Sequence, residues 1–128
     1  MKALLDTCTF LWWNLDDPQL SAAARQVIEN GDNEIYFSAV SAWEITLKAA
    51  RGRLILPELP GRYIAERLAY NHFQALPIQV SHALQIERLP EIHRDPFDRL
   101  LIAQAQLENL PLLTSDEQIR QYDLSIIW

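Results

Sequence analysis

The chain has 128 residues, 49% of them hydrophobic, and a formal charge of −6. That length suits one compact core, so a single domain spanning residues 1–128 is expected, and no run approaches the roughly 20 apolar residues a membrane helix requires. The one cysteine, Cys8, excludes an internal disulfide framework and a multi-cysteine zinc site.

In chain order, Ala3-Leu4-Leu5 is a short apolar run that stops abruptly at Asp6 and reads as a buried strand. Thr9–Trp13 reads as a short helix or turn. Ser21–Asn30 is a helix with Gly31 as its stop signal. Glu34–Phe37 is a second strand, rich in β-formers. Ala39–Arg51 is a helix ended by Gly52, and Leu54–Pro57 is a connector. Arg62–Asn71 is a helix, Gln74–Ile78 a strand and Ser81–Leu89 another helix. Phe97–Asn109 is the clearest helix, opened by Asp95-Pro96. Leu112–Thr114 is a strand, Asp116–Gln121 a short helix and Ser125–Trp128 a final strand. Strands alternate with helices throughout and are uniformly apolar. This predicts an α/β sandwich of three layers, helices on both faces of a central, mostly parallel sheet. The three apolar residues before Asp6 are too few for a secretory signal, so a soluble, cytoplasmic protein is expected.

In a parallel sheet, function gathers at the carboxyl ends of the strands. Asp6 directly follows the first strand, and Asp116 follows Leu112–Thr114 by two residues. Glu44 lies about two turns into the helix after the second strand, and Asp98 in the first turn of the helix opened by Asp95-Pro96. Each acid also has a local explanation. Asp6 can cap the helix after it, Ser41–Glu44 fits a capping box, and Glu44 pairs with Lys48 at i,i+4. Asp95 is placed as an N-cap, with the alternative of a fifth acid in the cluster, and Ser115–Gln118 is also box-like. Two features favour a joint site. Asp98 shares a helical stripe with Ile102 and Ala105, and Glu44 with Val40 and Leu47, so both face the core, where an unpaired carboxylate is unfavourable. The topology also brings all four acids to one sheet edge. Carboxylates in plural, without a Cys or His ligand pair, form a hard-oxygen site suited to Mg2+ or Mn2+ rather than zinc.

The segments LLDTCTFLWW from Leu4, FSAVSAWEITLKAARGRL from Phe37 and HRDPFDRLLIAQAQLENLPLLTSD from His93, in this order, resemble PIN-domain ribonucleases, with VapC toxins of bacterial toxin–antitoxin pairs as the nearest branch. The resemblance covers essentially the whole chain. It implies a PIN-like fold, cleavage of RNA within the chain with Mg2+ or Mn2+, control by a cognate antitoxin protein, and assembly as a homodimer. It places the family's four acids on Asp6, Glu44, Asp98 and Asp116, its hydroxyl residue before the fourth acid on Thr114, and a small or hydroxyl position on Thr9. The alternative is a non-catalytic, PIN-like interaction module whose acids are structural.

Lys48, Arg51 and Thr114 are candidates for substrate contact, with cations at a helix C-terminus as the plain reading of the first two. Arg94 and Arg99, which flank Asp98, read as surface ion-pair residues, with phosphate contact as the alternative. His93 reads as a surface or hydrogen-bonding residue without an identifiable partner, with an acid–base group as the alternative; His72 and His82 carry no pattern, and Cys8 reads as packing. Trp12, Trp13 and Trp43 read as core or interface. Tyr63, Ile64, Leu68 and Tyr70 suggest a second apolar face for a dimer or antitoxin.

Overall fold

The computed structural model describes all residues, Met1–Trp128. It contains five strands, β1 (Lys2–Leu5), β2 (Glu34–Ser38), β3 (Gln74–Leu76), β4 (Leu112–Leu113) and β5 (Ile126–Ile127). The six helices are α1 (Thr7–Leu15), α2 (Ala22–Glu29), α3 (Ala39–Ala50), α4 (Pro60–Asn71), α5 (Val80–Gln85) and α6 (Pro96–Glu108). The sheet order is β3-β2-β1-β4-β5 and every pair is parallel, as expected for strands buried on both faces.

Alternation along β1 divides the core. Ala3 and Leu5 join Phe10, Ala24, Ile28, Ile45 and Tyr63 on one face, while Leu4 joins Val40, Leu101, Ile102, Ala105 and Ile119 on the other. Full burial of each such leucine or isoleucine contributes roughly 1.5–3 kcal/mol, so a one-residue slip of β1 would exchange both cores at once. No helix is long and apolar enough to cross a membrane.

Several boundaries differ from expectation for local reasons. The turn expected at Thr9–Trp13 is a full helix, α1, because the Asp6 carboxylate accepts the Thr9 N–H and starts it. Ser38 rather than Ser41 caps α3, its hydroxyl accepting the Val40 N–H. Ser41 is instead buried inside the helix. Gly52 takes a left-handed φ of 70° after α3, whereas α2 closes on an extended Asn30 and leaves Gly31 no such role. The expected Ser81–Leu89 helix is the shorter α5 followed by a 3-10 turn at Ile86–Arg88. The helix expected at Asp116–Gln121 is a 3-10 turn at Ile119–Gln121. The outward apolar face expected on α4 is mostly core: Tyr63 and Ile64 are buried and only Tyr70 is widely exposed.

Candidate active site

Strand order runs outward in one direction through β2 and β3 and in the other through β4 and β5. The crevice between β1 and β4 is therefore the topological switch point, where parallel sheets place ligands beyond the carboxyl ends. Asp6 leaves β1 there, its N–H donating to Leu113 O at 3.2 Å, and Asp116 follows β4. Glu44 arrives from α3 and Asp98 from the first turn of α6. Asp6 and Glu44 are buried, and the side chains of Asp98 and Asp116 are 20% and 32% exposed.

The local caps and the cluster coexist, because each capping acid spends one oxygen on the main chain. Asp6 Oδ1 accepts from Thr9 N–H at 2.8 Å. Asp116 Oδ1 accepts from Gln118 and Ile119 N–H at 2.8 and 3.2 Å, while its Oδ2 faces His93 Nε2 at 3.0 Å. Asp95 Oδ1 accepts from Phe97 and Asp98 N–H at 2.8 and 3.3 Å, so it is the N-cap of α6, and its charge still reaches Asp98. Glu44 is held by Thr7, whose hydroxyl donates to Oε1 at 2.6 Å, and by the Lys48 ammonium on Oε2. Thr9 Oγ1 donates to Leu113 O at 2.8 Å, tying the start of α1 to β4.

Burial lifts the Asp6 carboxyl above its ordinary range despite hydrogen bonds from Thr114 and Thr9, and Asp116 adds to the rise. Burial and then the neighbouring charge of Asp95 push Asp98 up to about 7, with Glu44 and Asp6 adding to the shift and His93 opposing it. Burial alone would raise Asp116 as well, but hydrogen bonds from His93, Ile119 and Gln118 bring it below the usual carboxylate range. Burial would lower Lys48; the bond to Glu44 outweighs it and holds the ammonium above its ordinary value.

Asp98 thus feels the charges of Glu44 and Asp6, and Asp6 that of Asp116, with Lys48 bonded to Glu44. Other expectations need correction. Thr114 is fully buried beneath Asp6 and accepts the Asp116 N–H at 3.1 Å, so it orients acids and is not open to substrate. Arg51 is exposed at the C-cap of α3, beyond the cluster. Cys8, expected as packing, is exposed. The protein surrounding its thiol, then the charges of Asp6 and Glu44, push it up to about 12. Arg99 does pair with the exposed Glu91, at 3.9 Å, but its guanidinium also donates to the Pro90 and His93 carbonyls at 3.0 and 3.3 Å and staples their loop.

The partners of His93 are what the sequence did not reveal. The residue is 8% exposed, and its Nε2 lies 3.0 Å from both Asp98 Oδ2 and Asp116 Oδ2. One ligand atom from each of these three residues lies within 4.8 Å of the others. The available signal was position. His93 stands two residues before the N-cap Asp95, where an imidazole Nδ1 can accept the cap residue's own N–H.

A family model described as the PIN domain matches residues 3–124. Ribonuclease VapC22 of Mycobacterium tuberculosis is 33% identical over 120 residues, covering 93% of this chain and 90% of that protein. Among solved structures, VapBC2 from Rickettsia felis, bound to a DNA fragment from its promoter, superposes with a TM-score of 0.70 at 13% identity, covering 98% of this chain and 97% of that one. VapBC-1 from nontypeable Haemophilus influenzae superposes with a TM-score of 0.67 at 17% identity, covering 98% and 96%. Those two likenesses concern the fold, and the VapC22 alignment and the PIN match concern descent: the chain belongs to the PIN-domain family and is VapC-like.

Proposed function

We propose that the protein is an endoribonuclease, dependent on Mg2+ or Mn2+, that acts as the toxin of a toxin–antitoxin pair. The observation that carries this reading is the convergence of four acids from separate elements on one sheet edge, where burial and like charge hold Asp98 up at about 7. Such a cluster is unfavourable unless a cation or protons compensate it. Its donors are carboxylate oxygens, which fit Mg2+ or Mn2+. Asp6, Asp98 and Asp116 would hold the ion, with Glu44 beside them. When bound, the ion neutralises phosphodiester charge and lowers the pKa of an attacking water.

The chain's own residues supply position. Thr9 and Thr114 orient Asp6, and Thr7 and Lys48 fix Glu44. A cavity of about 890 Å3 opens beside Pro111 and Ser125, before β4 and β5, at the other end of the sheet. The acids instead lie at the carboxyl ends of the strands, where Asp98 and Asp116 keep 20% and 32% of their side-chain surface open to a polymer laid across them. Lys48, bonded to Glu44, can meet its phosphates. The VapBC structures that share this fold support a cognate antitoxin as partner, and a homodimer is the assembly we assign. An antitoxin arginine among the carboxylates would match their charge and geometry.

The test is cleavage of RNA by purified protein in EDTA, Mg2+ or Mn2+. Discrete fragments are expected only with an ion, and none from folded Asp6→Asn or Asp98→Asn. Cleavage by both variants at the parent rate would defeat the reading. The interaction-module alternative draws on the caps made by Asp6, Asp95 and Asp116, and it expects no effect of divalent ions on melting temperature.

A further inference from the structure

His93 is fastened on three sides. Its N–H donates to Tyr122 Oη at 2.7 Å, Nδ1 accepts from Asp95 N–H at 3.1 Å, and Nε2 meets Asp98 Oδ2 and Asp116 Oδ2, each at 3.0 Å. A peptide N–H can only donate, so Nδ1 carries no proton, and the proton of the neutral ring resides on Nε2. That one N–H is aimed between two carboxylates from different parts of the fold, the first turn of α6 and the loop after β4. Asp98 and Asp116 have no other bond in common, and their charges repel.

We propose that His93 is a positioning residue: its Nε2–H bridges Asp98 and Asp116 and sets the separation and facing of these acids, without itself binding the ion. This rests on the reading of the acids as ion ligands. Ion binding through Nε2 would displace its proton, and a neutral ring would then carry it on Nδ1, donor against donor with Asp95 N–H. Rotation of the ring out of this frame is opposed by the loop's anchors. Arg99 donates to Pro90 and His93 carbonyls, and Tyr122 Oη donates to Pro90 O at 3.0 Å while accepting the His93 N–H. His93 therefore acts on the ion through the two aspartates, the way partners of ligating carboxylates commonly act.

Nitrogen NMR of the His93 ring in the full protein reads this directly. The bridge requires a protonated Nε2 and a bare Nδ1 in EDTA, and the same pattern at saturating Mg2+. A proton on Nδ1 in either state overturns it, as does loss of the Nε2 proton on adding Mg2+. Two substitutions give an independent readout by calorimetric Mg2+ titration. His93→Asn keeps an acceptor for Asp95 N–H but places no donor at the ε position. His93→Gln reaches that position with an N–H. His93→Asn is expected to weaken Mg2+ binding by about 10–100-fold, as outer-shell losses do, and His93→Gln to recover most of it. Equal weakening in both variants, or none in His93→Asn, counts against the bridge. If the parent itself shows no Mg2+ binding, the ribonuclease proposal fails, and the ring tautomer in EDTA still decides whether His93 joins the two acids.

Discussion

The two ends of α6 each meet a buried histidine, and the two arrangements differ in how their charge is compensated. At the C-terminal end, His82 is fully buried, with Nδ1 accepting from Gln79 N–H at 3.0 Å and Nε2 at 3.1 Å from Glu108 Oε1. Gln104 extends this network, bonding Ser38 and the Pro77 carbonyl. There is one carboxylate per imidazole, and Glu108 reaches water. At the N-terminal end, His93 has the same Nδ1-to-backbone arrangement but faces two carboxylates, with Asp6, Glu44 and Asp95 close enough to act on Asp98. The positive end of the helix dipole favours an ionised Asp98 by ~0.3–1 kcal/mol. Burial and like charge override it. The first network is satisfied and structural, and the second holds an excess of negative charge that only protons or a cation relieve.

The largest expected effects come from breaking this asymmetry. Asp98→Asn or Asp6→Asn should lower RNA cleavage by more than the ~10–100-fold typical of outer-shell partners. With an uncompensated acid gone, neither variant should melt below the parent in EDTA. A variant that unfolds in EDTA would instead assign its acid a structural role. His82→Ala should do the reverse. It leaves the Gln79 N–H and Glu108 without their partner and opens a cavity, for a loss of about 2–4 kcal/mol in chemical denaturation. Cleavage per folded molecule should be unchanged, and a hundredfold loss there would mean the two ends of α6 are coupled.

How much of this was legible in the sequence follows from what each feature depends on. The apolar run Ala3–Leu5 cut off by Asp6, the stripe carrying Asp98 and the alternation of elements are local patterns, so they specified the parallel sheet and the acids at its edge. The family resemblance supplied the same four acids as an ordered set. The bridge at His93 was not legible, because it joins Asp98 and Asp116 across a contact that only the folded loop creates. Ser38 displaced Ser41 as the cap of α3 for a related reason. Both serines satisfy the local rule, and Ser41 is placed by tertiary packing beside Thr7 Oγ1, at 2.9 Å.

A smaller effect sharpens the comparison through pH. The folded Asp98 carboxyl is raised to about 7 from its ordinary 3.8. Between those values the native state holds a proton that the unfolded chain has released, so stability falls as pH rises. The penalty from this group is absent below about pH 4 and complete above about pH 7. Asp6, raised in the same direction, adds to it. In EDTA, the advantage of Asp98→Asn over the parent in melting temperature should therefore widen from pH 5 to 8. Mg2+ should narrow it by stabilising the parent, by ~2.7 kcal/mol at 100 times the dissociation constant. A gap that stays constant with pH would show that Asp98 is ionised in the native state throughout.

The smallest expected effect concerns a buried polar group with neither a network nor a charge. Tyr63 is 1% exposed, its ring packs edge-on against Phe10 at 6.5 Å, and its hydroxyl has no hydrogen-bond partner. Arg67 lies over the ring at 4.4 Å and contacts the π face, not the hydroxyl. An unpaired buried hydroxyl costs about 1–3 kcal/mol of lost hydration. Tyr63→Phe removes that cost while retaining the ring contacts, and leaves a void of one oxygen atom whose lost packing offsets part of the gain. The balance predicts a change between zero and about +1 kcal/mol in denaturant melts, against the large loss at His82, where every polar atom has a partner to lose. Destabilisation by more than about 1 kcal/mol would mean that the Tyr63 hydroxyl makes a bond in solution, and would place it with the satisfied network at the other end of the comparison.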